Sequence, residues 1–404
     1  MSLKIKKPDR TNELSKRLLV MFTIIILYLI GLSVPLLGVE PDIDQNGIQN
    51  AENIVTTMLN GANNQKSIFT LGIMPYMNAM IFVQCFVVFR SSESKGRISQ
   101  RRMNRWTGIL TFFFALFYAI TRTKTFDYKY DFMPELGFRI LAIAQLLLGT
   151  LILFWLLEWN KKAGIGQTMP LIIINIIGGL RNTIGQHDLR EYPMLLALCG
   201  IVVIIIIIAE TVMIKIPVQR VSINNVHTEK NYIAYKLNII GVMPVMFGTA
   251  VFMLPQLILH LILLFQPDNE NLKSIIDRMV MTEPLGVKVF LIIIMFLAIA
   301  FSFLMLSPKE QADNLRKAGD CIVNVPSGKK TRWYLTKWVL LLSVLSGLFQ
   351  SGCMAISLKM SLDGIVPTQC AMLPMNAMMI SGFVCSIFFE LRSYYRFDKY
   401  KFFL

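Results

Sequence analysis

Gly72-Ile73-Met74-Pro75-Tyr76-Met77 and Gly241-Val242-Met243-Pro244-Val245-Met246 are the two stretches on which the reading of this sequence turns. They share the order Gly, aliphatic, Met, Pro, any residue, Met, and each opens or enters a long apolar run. Proline in the first turn of a helix removes no hydrogen bond that the helix needs, and the glycine before it lets the chain come in at an angle. Paired Gly/Pro-interrupted segments at corresponding places in two halves of a membrane chain are what an inverted repeat leaves in a sequence, and they point to its functional centre.

Working outward, the 404 residues are 54% hydrophobic and only 16% charged, which argues against a soluble enzyme or nucleic-acid-binding module. Apolar runs long enough for a bilayer core occur at roughly 18–38, 68–89, 106–121, 140–158, 168–180, 193–214, 238–265, 287–306, 338–358 and 367–389. The fifth is the weakest, because Pro170 sits near its start and Gly178-Gly179 near its end, so it reads equally as a buried or tilted segment. The expected fold is an all-α polytopic membrane protein of ten transmembrane helices. Its two pseudo-symmetric inverted halves of five, 1–192 and 193–404, would form a clamshell with a central pore. The 18–38 run is too long for a cleavable leader and reads as the first anchor.

With both termini in the cytoplasm, 29 of the 40 Lys+Arg fall on inside segments, as the positive-inside rule asks. This accounts for the net charge of +15 without nucleic acid. Orientation alone could explain the basic surface, and so could a cytoplasmic partner, since the loops at 215–237 and 307–337 are longer than hairpins need. Cys85, Cys199, Cys321, Cys353, Cys370 and Cys385 form no CxxC and lie mostly in or beside spans, so they read as small apolar residues. His187, His227 and His260 are scattered, and no phosphate-cradling glycine loop is visible. No cofactor, metal or catalytic group is expected. The span interiors are nearly free of ionisable residues, which argues against an ion-coupled pump.

On the two echoing spans, Ile73, Met77 and Ile81 share one face, as Met243, Met246 and Val251 do more loosely. An aliphatic, Met-rich constriction suits a gate that seals by fit and dewetting; ordinary buried packing reads the same pattern. Between the first two spans, Ile54/Met58 and Val55/Leu59 at i, i+4, with Asn50 as a candidate N-cap and Gly61 as a stop, suggest a short amphipathic helix over about 50–62. It would be either a movable stopper or an ordinary loop helix.

Together with Gly164-Ile-Gly166, the segment Lys236-Leu-Asn-Ile-Ile-Gly-Val-Met-Pro244 and Ser307-Pro-Lys-Glu-Gln-Ala-Asp-Asn-Leu-Arg-Lys-Ala-Gly319, these stretches resemble the SecY family of protein-conducting channels in order and spacing from Leu14 to about Tyr395. The resemblance implies an hourglass pore with an aliphatic ring formed by Ile73, Met77, Ile173, Met246 and Val251. It implies a lateral gate between spans 2 and 7 at Asn78, Ile81, Gln84 and Thr249, and a plug at Ile54, Val55, Met58 and Leu59. The span-10 ring member is not placed, because Pro374-Met-Asn-Ala-Met-Met379 departs from the family pattern. The two cytoplasmic loops would receive a SecA-type ATPase through Arg220, Lys230, Lys309, Arg316, Lys317, Lys329, Lys330 and Arg332. The second loop reads Asn324-Val-Pro-Ser-Gly-Lys-Lys-Thr331 and lacks the family's arginine before Pro-Gly. With its short outer loops, the chain resembles most the accessory branch of the family in Gram-positive bacteria. That branch implies an accessory SecA motor, small membrane subunits and accessory Sec proteins, and export of serine-rich repeat glycoproteins through the cell membrane. A general secretory SecY channel and, more distantly, an inverted-repeat solute transporter remain the rival readings.

Overall fold

The computed structural model describes residues 13–39, 66–89, 100–124, 126, 128, 134–220, 231–265, 278–280 and 282–400. The expected plug segment, Lys230 and residues 90–99 lie outside the described residues. The long helices are α1 (Glu13–Ser33), α2 (Met74–Phe89), α3 (Gln100–Thr123), α4 (Glu135–Ala163), α5 (Met169–Gln186) and α6 (Pro193–Thr211). They continue with α7 (Met243–Phe265), α8 (Pro284–Leu306), the amphipathic α9 (Pro308–Ala318), α10 (Lys329–Leu362), the short α11 (Thr368–Ala371) and α12 (Leu373–Tyr400). Prolines stand in the first turn of α2, α5, α6, α7, α8, α9 and α12, where they cost no helix hydrogen bond.

Among the described residues, six helices are long and apolar enough to cross a membrane: α1, α4, α6, α8 (running on into α9), α10 and α12. α2 has only 16 residues, because residues 67–73 approach it as turns rather than helix. α3 carries Arg101, Arg102 and Arg105 at its start and Arg122 near its end. α5, the doubtful run in the sequence, is an 18-residue helix with Pro170 in its first turn.

The surface is oily and the interior is where the amides sit. Phe296 is 68% exposed, and Leu19, Phe22, Ile26, Ile201, Ile204 and Trp155 are likewise turned outward, whereas Asn78, Asn160, Asn175 and Gln350 are buried. That distribution fits a solvent of hydrocarbon, in which outward apolar side chains are at no disadvantage. Helix packing runs α2, α3, α4, α1, α5 in the first half and α7, α8, α10, α6, α12 in the second, each helix touching the next. The halves meet where α2 packs on α7 and where α1 and α5 pack on α12.

The fold is helical, with one addition to the expectation of an all-α chain: the loops expected at 215–237 and 307–337 share a small sheet. Met213–Arg220 (β1), Tyr232–Lys236 (β2) and Asp320–Ile322 (β3) form an antiparallel sheet in the order β2-β1-β3. Ile216 lies opposite Ile233, and Val218 opposite Ile322. Exposure alternates along Ile214-Lys215-Ile216 and Ile233-Ala234-Tyr235, with Lys215 and Ala234 outward and Ile216 and Tyr235 buried, the period of a half-buried strand. That face packs with Ala312, Ile322, Leu335, Val339 and Leu342. α9, inserted just after α8, and the start of α10 complete this platform. The Tyr235 hydroxyl donates to Gln311 Oε1 on α9, and burial pushes its pKa up to about 12. The five described cysteines, Cys199, Cys321, Cys353, Cys370 and Cys385, are free thiols.

Candidate functional site

The two Gly-x-Met-Pro stretches that echo in the sequence have matching backbones. Gly72 and Gly241 both lie at positive φ, +53° and +69°, a region that glycine enters without steric cost. α2 begins two residues after Gly72, at Met74, and α7 begins two residues after Gly241, at Met243. The first bonds also correspond: Met77 N–H donates to the Ile73 carbonyl at 3.0 Å, and Met246 N–H to the Val242 carbonyl at 3.2 Å.

Both helix starts insert into one central apolar cluster. Ile73, Met77, Ile81 and Met246 are buried in it, and Ile173 and Val251 are half-buried against it. All five expected ring residues therefore share a cluster, although that cluster includes many ordinary packing residues too. α12 contributes Met375, Met378 and Met379, all fully buried, with Met372 just before it. Sequence reading placed none of these; the methionine density of 372–379 was the available signal. Thioethers dominate here because they fill an irregular space without a fixed shape.

Among the expected gate residues, Thr249 is 1% exposed and donates to the Met246 carbonyl at 2.9 Å. Asn78 is fully buried, and its Nδ2 donates to the Tyr118 hydroxyl on α3 at 2.6 Å, so its donor serves its own half rather than reaching across to α7. Asn78 Oδ1 has no partner among the described residues. Gln84 is half-buried. A buried amide with an unmet acceptor costs on the order of 1–3 kcal/mol.

Side chains around α2 and α5 fix the rest of the first half. Lys161 donates to the Tyr76 hydroxyl and pairs with Glu158 at 3.0 Å, and Asn104 Nδ2 donates to Glu158 at 2.7 Å. In the Gly164-Ile-Gly166 turn, Asn160 Nδ2 donates to the carbonyls of Ile165 and Gln167. A Cβ on Gly164 would stand 1.9 Å from Asn160 Oδ1, so the glycine is required by that approach. The same turn joins the halves: Glu390 on α12 accepts from Gly166 N–H at 2.9 Å, while Arg17 on α1 lies over the Tyr394 ring at 4.6 Å.

On the sheet platform, Lys309, Arg316, Lys317, Lys329, Lys330 and Arg332 are exposed, and Arg220 ends β1. Among the described residues no cluster of three or more His, Cys, Asp or Glu is arranged to hold a metal.

Residues 67–380 match the SecY family profile. The accessory Sec system protein translocase subunit SecY2 of Streptococcus agalactiae is 28% identical over 348 residues, covering 84% of each chain. The protein translocase subunit SecY of Buchnera aphidicola is 29% identical over 369 residues, covering 84% of this chain and 83% of its own. Among solved structures, a protein conducting channel matches at TM-score 0.65 and 18% identity, over 98% of this chain and 96% of its own. Sec61 from a canine ribosome-channel complex matches at TM-score 0.59 and 17% identity, with the same coverage. The profile match over most of the length, joined to a shared fold of apolar helices, means that this chain belongs to the SecY family of protein-translocation channels, multi-pass proteins of the cell membrane.

Proposed function

We propose that the chain is the channel subunit of an accessory Sec system, passing unfolded serine-rich repeat glycoproteins across the cytoplasmic membrane, driven by a partner SecA-type ATPase. The observation that carries this reading is the methionine-rich cluster into which the broken starts of α2 and α7 converge with α12. Flexible thioethers close around side chains of differing size while excluding water, which is what a waist for a moving polypeptide needs.

In this reading ten helices cross the bilayer in two inverted halves, with both termini cytoplasmic. The parallel packing orders of the two halves support that count. Ile73, Met77, Ile173, Met246 and Val251 form the ring. The α2/α7 contact is the lateral gate, and the contacts of Gly166 and Arg17 with α12 are the hinge behind it. Residues 50–62 supply the plug. The sheet platform receives the motor through its basic rim, and small membrane subunits complete the assembly.

A general secretory role is the second reading, favoured by the near-equal identity to accessory and general relatives. A photo-crosslinking amino acid at Met77, with stalled clients of either type in membranes, separates the two. Adducts with the serine-rich client alone support the accessory channel; adducts with ordinary precursors favour the general one. Adducts with neither would remove the waist assignment.

A further inference from the structure

Glu210 is the next-to-last residue of α6, 1% exposed, and an anion so enclosed persists only if it is paired and hydrogen-bonded. Its partners come from the segment that joins the cytoplasmic sheet to α7. Lys236, the last residue of β2, pairs with Glu210 Oε2 at 3.0 Å, and Asn238 Nδ2 donates to Glu210 Oε1 at 3.2 Å. Asn238 Oδ1 in turn accepts from Ser346 Oγ on α10 at 2.6 Å. Gln350, one turn further along α10, donates through Nε2 to the Gly241 carbonyl at 2.8 Å. Gly241 is the positive-φ residue from which α7 departs, and a Cβ there would sit 3.1 Å from Glu210 Oε1.

We propose that Glu210, Lys236, Asn238, Ser346 and Gln350 form a latch through which the cytoplasmic sheet sets the position of the start of α7. The path is continuous: β2 ends on Lys236, Lys236 holds Glu210, Glu210 and Asn238 hold α6 to α10, and Gln350 holds the turn that precedes the gate helix. Gln350 Oε1 has no partner among the described residues, so this amide has room to exchange its bonds when the turn moves. Lys236 is the accessible end. Its side chain is 33% exposed, and its Nζ lies 4.7 Å from the Phe389 ring centroid on α12, so a partner that tilts the sheet reaches the latch there first. A merely structural staple would hold the same groups together without coupling Lys236 to Gln350.

That the latch controls a translocation gate rests on the channel reading above; the coupling itself does not. The test uses the full chain in membrane vesicles, cleared of its six cysteines and carrying Thr249→Cys. Because Thr249 is 1% exposed, the rate of maleimide alkylation reports how often the start of α7 opens. Lys236→Met and Gln350→Leu should each raise that rate about tenfold, and the double variant should be no faster than the faster single. Lys236→Arg should restore the original rate. If Gln350→Leu does not reach the membrane, Ser346→Ala takes its place in the same comparison. Unchanged rates, or effects that multiply in the double variant, overturn the latch. Absence of polypeptide transport with the coupled alkylation pattern intact would overturn the channel reading and leave the latch standing.

Discussion

The starts of α2 and α7 have the same backbone and different supports. At α2 the chain is held by local bonds and by α1: Gly72 N–H donates to the Phe69 carbonyl at 2.8 Å, Ile68 N–H to Val34 at 3.1 Å, and Phe69 stacks on Tyr28 of α1 with centroids 5.6 Å apart. At α7 the turn is held by side chains from α6, β2 and α10. One turn is thus fastened to α1 by backbone and rings, the other to the sheet and its neighbouring helices by charges and amides. A repeated motif fixes the turn, and its surroundings decide what holds it in place.

The most damaging way to break this comparison is Phe69→Ala, which removes a buried ring and its stack. It should cost about 3 kcal/mol or more of stability in detergent, read by thermal unfolding, while leaving alkylation at Thr249→Cys near its original rate. Glu210→Ala should do the reverse, opening α7 and leaving α2 in place. Its cost of about 2–3 kcal/mol falls below that of a fully enclosed pair, because Lys236 remains one-third exposed. Gly241→Ala forces a side chain to positive φ and against Glu210. A loss of about 1–2 kcal/mol in the same unfolding assay is expected, and Gly72→Ala should carry the backbone share of it. The smallest effect concerns the platform. The Tyr235 phenol has its pKa raised from 10.0 to about 12 by burial, so its contribution is complete below pH 10 and declines as pH rises toward 12. Proteolysis of the sheet should therefore quicken over that range, and Tyr235→Phe should flatten the dependence.

Much of the helical layout was legible because hydrocarbon-length runs and Gly-Pro punctuation are local signals. The Gly72 and Gly241 turns were readable for the same reason: their conformation is written in the residue that adopts it. The sheet is not, since charges dominate 215–237 and 307–337 and the i, i+2 spacing of Ile214 and Ile216 is too short a run to mark a strand. β3 could not have been found locally, because Asp320–Ile322 is a strand only through its pairing with β1. Asn238, Ser346 and Gln350 are illegible in the sequence for a related reason. A lone amide in an apolar run has no meaning until its partner, more than a hundred residues away, is known. Of the expected gate residues, Thr249 bonds to the Met246 carbonyl within α7 and the Asn78 donor to Tyr118 on α3, partners that no local pattern names.

α10 is 34 residues long and carries Lys330 in its first turn and Gln350 past its middle. At about 100° per residue, twenty residues separate them by about five and a half turns, roughly 30 Å along the axis and on opposite sides of it. The helix is clamped between these points by Leu335, Val339 and Leu342 in the platform core. Buried residues recur on it from Thr331 to Met360, with Met354 and Leu358 in the central cluster, so the platform and the central cluster share one continuous rod packed along its whole length.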